Sequence, residues 1–179
     1  MGSRLLVRLL VVVVVAVLAA DRLDVLGGGG GSGQGSDSEG RVERVVDGDT
    51  IHVRLGARSE TVRYIGVDTP ESVRPGTPVQ CFAKAASAAN ERLVAGRRVR
   101  IEVGEEARDR YGRLLAYVRR ASDGAFVNAA LVRDGYARTL TIAPNDRYAQ
   151  RFATLQREAQ RAGRGLWGRC STVASGASG

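Results

Sequence analysis

The sequence predicts a small closed β-barrel with helices packed at its edges, a mainly β, α+β fold. Two observations carry that expectation. Three β-rich runs precede the first helical segment and two more precede the remaining helices. This order is not the strand–helix alternation of a parallel sheet. Most runs are also short, hold Val, Ile or Tyr at alternating positions, and are bounded by Gly, Asp or Pro. At 179 residues, the chain has room for one such domain and a small extra segment.

Arg41 to Asp47 and Thr50 to Leu55 read as two strands across the Asp47-Gly48-Asp49 turn. Thr61 to Val67 (TVRYIGV) is a third, ended by Pro70. Ser72 to Pro78, rich in Pro, Gly and Ser, is a loop whose single base is Arg74. From Phe82 to Ala95, the residues Phe82, Ala86, Ala89 and Leu93 share one helical face, and Gly96 stops the helix. Val99, Ile101 and Val103 alternate as a fourth strand. Leu114 to Val118 is a fifth, entered by Tyr111-Gly112. Val127 to Arg133 is a short helix stopped by Gly135. Arg147 to Arg161 is a longer one with Tyr148, Phe152, Leu155 and Ala159 inward, and Asn145 or Asp146 can cap it.

The ends of the chain read differently. Arg4 and Arg8 precede an unbroken apolar run of 12 residues, Leu9 to Ala20, shorter than a membrane span. Residues 1–20 are therefore expected to be a cleaved export signal or a short uncleaved anchor. A cut could follow Val17-Leu18-Ala19, or fall at Ala20. Either way the rest crosses the membrane, because the Arg-rich end stays inside. Residues 21–40 form a Gly/Ser-rich linker, 41–170 the folded domain and 171–179 a flexible tail. A secreted or cell-surface location follows, with membrane contact only through an uncleaved N-terminus. In an exported chain the two cysteines, Cys81 and Cys170, are expected to pair.

Composition excludes several chemistries. One histidine, His52, and two cysteines cannot build a closed four-ligand Cys/His zinc site or a paired-histidine mechanism. His52 reads as a strand-face residue. Between Arg41 and Arg169 there are 24 basic and 15 acidic side chains, a net charge of +9. That balance suits a polyanionic partner.

Three polar clusters stand at strand ends: Asp47-Gly48-Asp49-Thr50, Arg63 with Asp68-Thr69-Pro70-Glu71, and Asp109-Arg110-Tyr111-Gly112-Arg113. Carboxylates suit a hard cation, and arginine forks suit phosphate oxygens. Arg63 and Asp68 are five apart, so strict alternation would put them on opposite faces. A shared site needs a break in the strand, and Gly66 is the place for it.

Taken together, VVDGDTIHV, VRYIGVDTPE, DRYGRLLAYV, VNAALVRDGYA and the terminal GLW resemble the staphylococcal nuclease (thermonuclease) family over Val42 to Gly168. The resemblance implies a five-stranded OB-fold barrel with about three helices. It also implies a Ca²⁺-dependent phosphodiesterase acting on DNA and RNA, leaving 3′-phosphate ends. Asp49, Asp68 and the Thr69 carbonyl then correspond to the metal ligands. Glu71 corresponds to the proposed general base or a residue ordering the site, and Arg63 and Arg113 to the phosphate-holding arginines. Arg110 and Tyr111 add substrate contacts, and Asp47 reads as a turn residue. Where the family carries a tyrosine pair near the base, Thr141 and Ile142 stand here, with one residue deleted. A monomer is expected. The rival readings are a noncatalytic single-stranded nucleic-acid-binding OB-fold module and a surface-anchored structural domain.

Overall fold

The structure is a computed structural model that describes residues 38–71, 76 and 78–170. The expected N-terminal signal or anchor, most of the linker, the tail, and Ser72 to Pro75 with Thr77 in the loop lie outside these residues.

Five strands close a barrel in the order β1-β2-β3-β6-β5. They are β1 (Ser38–Val45), β2 (Thr50–Leu55), β3 (Arg58–Tyr64), β5 (Arg98–Arg108) and β6 (Leu114–Arg120). The first strand starts three residues upstream of the run read from sequence, where Ser38 pairs with Ile101 of β5. All neighbours are antiparallel except β3 and β6, which run parallel with Val62 opposite Leu114. The strand set was therefore legible, but the parallel seam that closes it was not. Period-two alternation points Val42, Ile51, Val53, Val62, Tyr64, Val99, Ile101, Ala116 and Val118 into a fully buried interior.

The third predicted strand is two. Between β3 and β4 (Gly66–Asp68) the chain turns at Gly66, whose φ of +79° is left-handed. The short β4 leaves the barrel and pairs with β7 (Arg138–Leu140), a three-residue strand the sequence pattern did not indicate. Asn128 pins the break from inside. Its side chain donates to the Ile65 carbonyl at 2.9 Å and accepts the Val118 N–H at 2.9 Å, fully buried.

The helices fall where periodicity places them: α1 (Ala83–Val94), α2 (Val127–Arg133) and α3 (Ala149–Arg161), with a short α4 (Leu166–Arg169) added. In α1, Ala83, Ala86, Ala89 and Val94 are buried. Phe82 stands just outside the helix at φ +71° and stacks on Tyr136, ring centres 5.5 Å apart. In α3, Phe152 and Ala159 are buried, and Phe152 tilts against Tyr117, Phe126 and Tyr148. Asn145 does not cap this helix. Its side chain instead bridges the backbone of Glu106, donating to its carbonyl and accepting its N–H at 2.9 and 3.1 Å. Among the described residues no helix is long and apolar enough to cross a membrane.

Cys81 and Cys170 form a disulfide, Cα atoms 5.9 Å apart, fastening the start of α1 to the end of α4. Closing an 89-position loop in the unfolded chain is worth about 4–5 kcal/mol by chain entropy. Replacing both cysteines by serine should lower the urea unfolding free energy by about that amount. At Gly66 any Cβ would collide with the Phe152 ring, on top of the positive φ. Gly66→Ala should therefore cost at least about 2 kcal/mol in the same measurement.

Candidate active site

The Asp47-Gly48-Asp49 turn closes on itself, with the Asp49 N–H donating to Asp47 Oδ1 at 3.0 Å. That is the turn role expected of Asp47. A side chain at Gly48 would collide with Thr69, so only glycine lets the two segments meet here. Thr69 then donates twice to Asp49 Oδ2, from its N–H at 2.8 Å and its hydroxyl at 2.9 Å. Below the turn, fully buried Asn90 of α1 donates to the Asp47 carbonyl and accepts the Tyr64 hydroxyl, each at 2.9 Å.

Arg63 is the hub. Its Nε lies 3.2 Å from Asp49 Oδ1, and its Nη2 lies 3.2 Å from Asp68 Oδ1. Its Nη1 donates to the carbonyls of Tyr64 and Val67 at 2.8 Å each. The break at Gly66 thus does what the sequence required, bringing Arg63 and Asp68 onto one site. Among the described residues these bonds leave a single Arg63 N–H for a ligand. Arg113 is held differently. Its Nε donates to Asp109 Oδ2 at 2.7 Å, while the same carboxylate accepts the N–H groups of Tyr111 and Arg113 and shapes their loop. Burial pushes the Asp109 carboxyl up, but its bonds from Arg113 and the loop N–H groups outweigh that and leave it below the usual range.

Two cavities share these arginines. One, of about 130 Å³, is lined by Asp47, Asp49, Arg63, Asp68, Thr69, Pro70, Glu71 and Arg113. The second, of about 320 Å³, continues from Arg63 and Arg113 along Tyr64, Ile65, Leu115, Leu140 and Ile142. Asp109, Arg110 and Tyr111 also line it. Tyr111 is 68% exposed, with Arg110 and Arg113 guanidiniums 4.8 and 5.4 Å from its ring centre. Every candidate catalytic, metal and substrate residue read from sequence therefore faces one of two adjoining cavities. His52 faces neither and contacts Thr61 at 3.3 Å. At the expected tyrosine positions the outcome differs in detail. Leu140 and Ile142 line the cavity, and Thr141 does not. Side chains alternate along extended chain, so 140 and 142 share a face that 141 does not.

The carboxylates crowd each other. Burial, then the charge of Asp49, pushes the Asp47 carboxyl up to about 6. Burial also raises Asp68, with Arg63 pulling the other way. Anionic oxygens held this close form a donor set that fits a hard cation. Among the described residues no three His, Cys, Asp or Glu side chains converge into a full metal cage, so most of the coordination would fall to carbonyl, water and substrate oxygens.

Two residues escaped the sequence reading. Gln80 pins the Glu71 backbone, its Oε1 accepting the Glu71 N–H at 2.9 Å while its own N–H donates to the Glu71 carbonyl at 3.0 Å. Cys81, the next residue, carries the disulfide. Arg138 stands opposite Asp68 in the β4–β7 pair, with its guanidinium 5.6 Å from the Trp167 ring. Neither had a local signal, because each acts across a loop or an unpredicted strand.

The barrel with this carboxylate–arginine cleft matches a known family. The profile described as "Staphylococcal nuclease homologue" covers residues 61–169. The chain is 44% identical over 128 residues to the thermonuclease of Staphylococcus intermedius, covering 72% of this chain and 75% of that protein. It is 41% identical over 127 residues to the thermonuclease of Staphylococcus hyicus, covering 71% and 74%. It is also 37% identical over 134 residues to endonuclease YncB of Bacillus subtilis (strain 168), covering 74% and 63%. The chain belongs to the staphylococcal nuclease family.

Asn90→Ala would leave the buried Tyr64 hydroxyl and the partly buried Asp47 carbonyl without their partners. At about 1–3 kcal/mol for each unsatisfied group, urea unfolding should show a loss of about 3 kcal/mol.

Proposed function

We propose that this chain is an exported, calcium-dependent nuclease that hydrolyses DNA and RNA as a monomer, with water attacking phosphorus. The observation that carries the reading is the common wall formed by Arg63 and Arg113. It joins a carboxylate-lined cleft to an apolar cavity, as a phosphodiester with an attached base requires. The thermonuclease and endonuclease names of its relatives point the same way.

Asp49, Asp68 and the Thr69 carbonyl would hold the calcium, which when bound supplies positive charge against the phosphate oxygens. Among the described residues Arg113 hydrogen-bonds only through Nε, to Asp109, so its two Nη groups would grip the phosphate and stabilise charge building on it. Arg63 offers one N–H to the phosphate while holding Asp49 and Asp68 in register. Glu71, clamped at its backbone by Gln80, would take the proton of the attacking water. Tyr111, Leu140 and Ile142 receive the base. Because water rather than a 2′-hydroxyl is the nucleophile, both sugars serve. The disulfide supports an oxidising, extracytoplasmic destination, and the apolar N-terminal run supports export by a signal or short anchor.

Incubation of the purified protein with single-stranded DNA should give cleavage with Ca²⁺ and none after chelation. Arg113→Ala should lower kcat by about 10²–10³-fold with the fold intact. Asp68→Ala should instead raise the Ca²⁺ concentration needed for half-maximal rate. Chelator-resistant cleavage, or near-normal rates in both variants, would reject the assignment.

A further inference from the structure

A second arginine-rich face lies away from the cleft. Arg100 of β5 and Arg119 of β6 are direct partners across the antiparallel ladder, and like charges so placed weaken a sheet. Two more arginines join them, Arg147 just before α3 and Arg151 in its first turn. The Arg119 guanidinium lies 4.1 Å from the Phe126 ring centre and 5.9 Å from that of Tyr148. Arg151 lies 5.3 Å from Phe126, and Arg147 lies 5.7 Å from Tyr148.

Carboxylates answer only part of this charge. Glu39 faces Arg100 at 3.3 Å, and Glu102 faces Arg147 at 2.5 Å. Arg119 and Arg151 have no carboxylate partner among the described residues; aromatic faces hold them instead. Among the described residues Arg119 donates only a long 3.5 Å contact from Nη2 to the Tyr148 hydroxyl, and the Arg151 side chain makes no hydrogen bond, so most of their N–H donors remain for phosphate oxygens. None of the four arginines lines either cavity. Arg119 stands six positions along β6 from Arg113, about 20 Å at the strand rise.

We infer that Arg119 and Arg151, flanked by Arg100 and Arg147, form a second nucleic-acid contact that grips the sugar–phosphate backbone outside the cleft. The identity of the polyanion rests on the nuclease reading; the face itself does not. Rings and guanidiniums arranged this way contact backbone rather than base edges, so binding is indifferent to sequence and sensitive to salt. At the duplex rise of about 3.4 Å per nucleotide the two sites stand about six nucleotides apart, and a fully extended single strand bridges them with fewer. Longer substrates therefore gain affinity that short ones lack.

The test uses the whole protein and a labelled oligothymidylate of about 30 nucleotides, in chelator so that nothing is cut. For the pair Arg119→Gln with Arg151→Gln, the slope of log K against log salt should become shallower by about 1.4, two contacts at about 0.7 each. The pair Arg119→Lys with Arg151→Lys keeps the charge and should restore the slope. Turnover of a trinucleotide with Ca²⁺ should be unchanged in the Gln pair. A wild-type slope in the Gln pair overturns the inference. So does a Lys pair that loses binding and thermal stability as much as the Gln pair, since that marks ring packing alone. Loss of binding to anionic vesicles with DNA binding intact also overturns it, in favour of a membrane surface. If the wild-type protein cuts nothing yet the slope changes as stated, the nuclease reading fails and this face stands.

Discussion

The Arg63 guanidinium joins three stretches of chain that would otherwise have no reason to meet. It bonds Asp49 at the start of β2, the carbonyls of Tyr64 and Val67 around the β3–β4 turn, and Asp68 at the end of β4. The Arg63 side chain is 13% exposed and that of Asp49 is 6% exposed. Neither ion is tolerable there alone, because an unpaired buried charge costs about 3–5 kcal/mol. The site's electrostatics and the barrel's geometry are thus one constraint. The guanidinium that aligns the carboxylates also fixes the turn by which the chain leaves the barrel.

Around that joint the supports are polar and buried. Asn90 carries the Asp47 turn from α1, Asn128 carries the Ile65 turn from α2, and Asn145 ties the Glu106 segment to the start of α3. Three amides, each donating to a loop carbonyl, place three loops. Their value lies in specificity: an apolar residue of similar size would fill the space and leave the loop carbonyls without donors.

Much of this was legible in the sequence. Alternation in TIHVRL and RVRIEV marked strands, and the 3.6-residue spacing of Phe152, Leu155 and Ala159 marked a helix. The polar clusters at strand ends named residues that line the two cavities. Non-local facts stayed hidden. The break at Gly66 was legible, but not that the stretch after it, Gly66–Asp68, leaves the barrel to pair with Arg138–Leu140. Leu140 rather than Thr141 lines the cavity because that pairing fixes which side chains face inward. Asn145 looked like a helix cap because the sequence offers no view of Glu106. In each case the deciding partner lies tens of residues away, beyond the reach of a local pattern.

The parallel seam has a kinetic consequence. Val62 and Leu114 are 52 positions apart, and ordering so long an intervening segment precedes any gain from the pairing. Arg63 lies on one side of that seam and Arg113 on the other. The barrel therefore has to close before the two guanidiniums stand together. A partly folded chain that lacks this seam, however much helix and hairpin it has acquired, keeps Arg63 and Arg113 apart, so their meeting in one cleft during refolding reports the closing of the parallel seam.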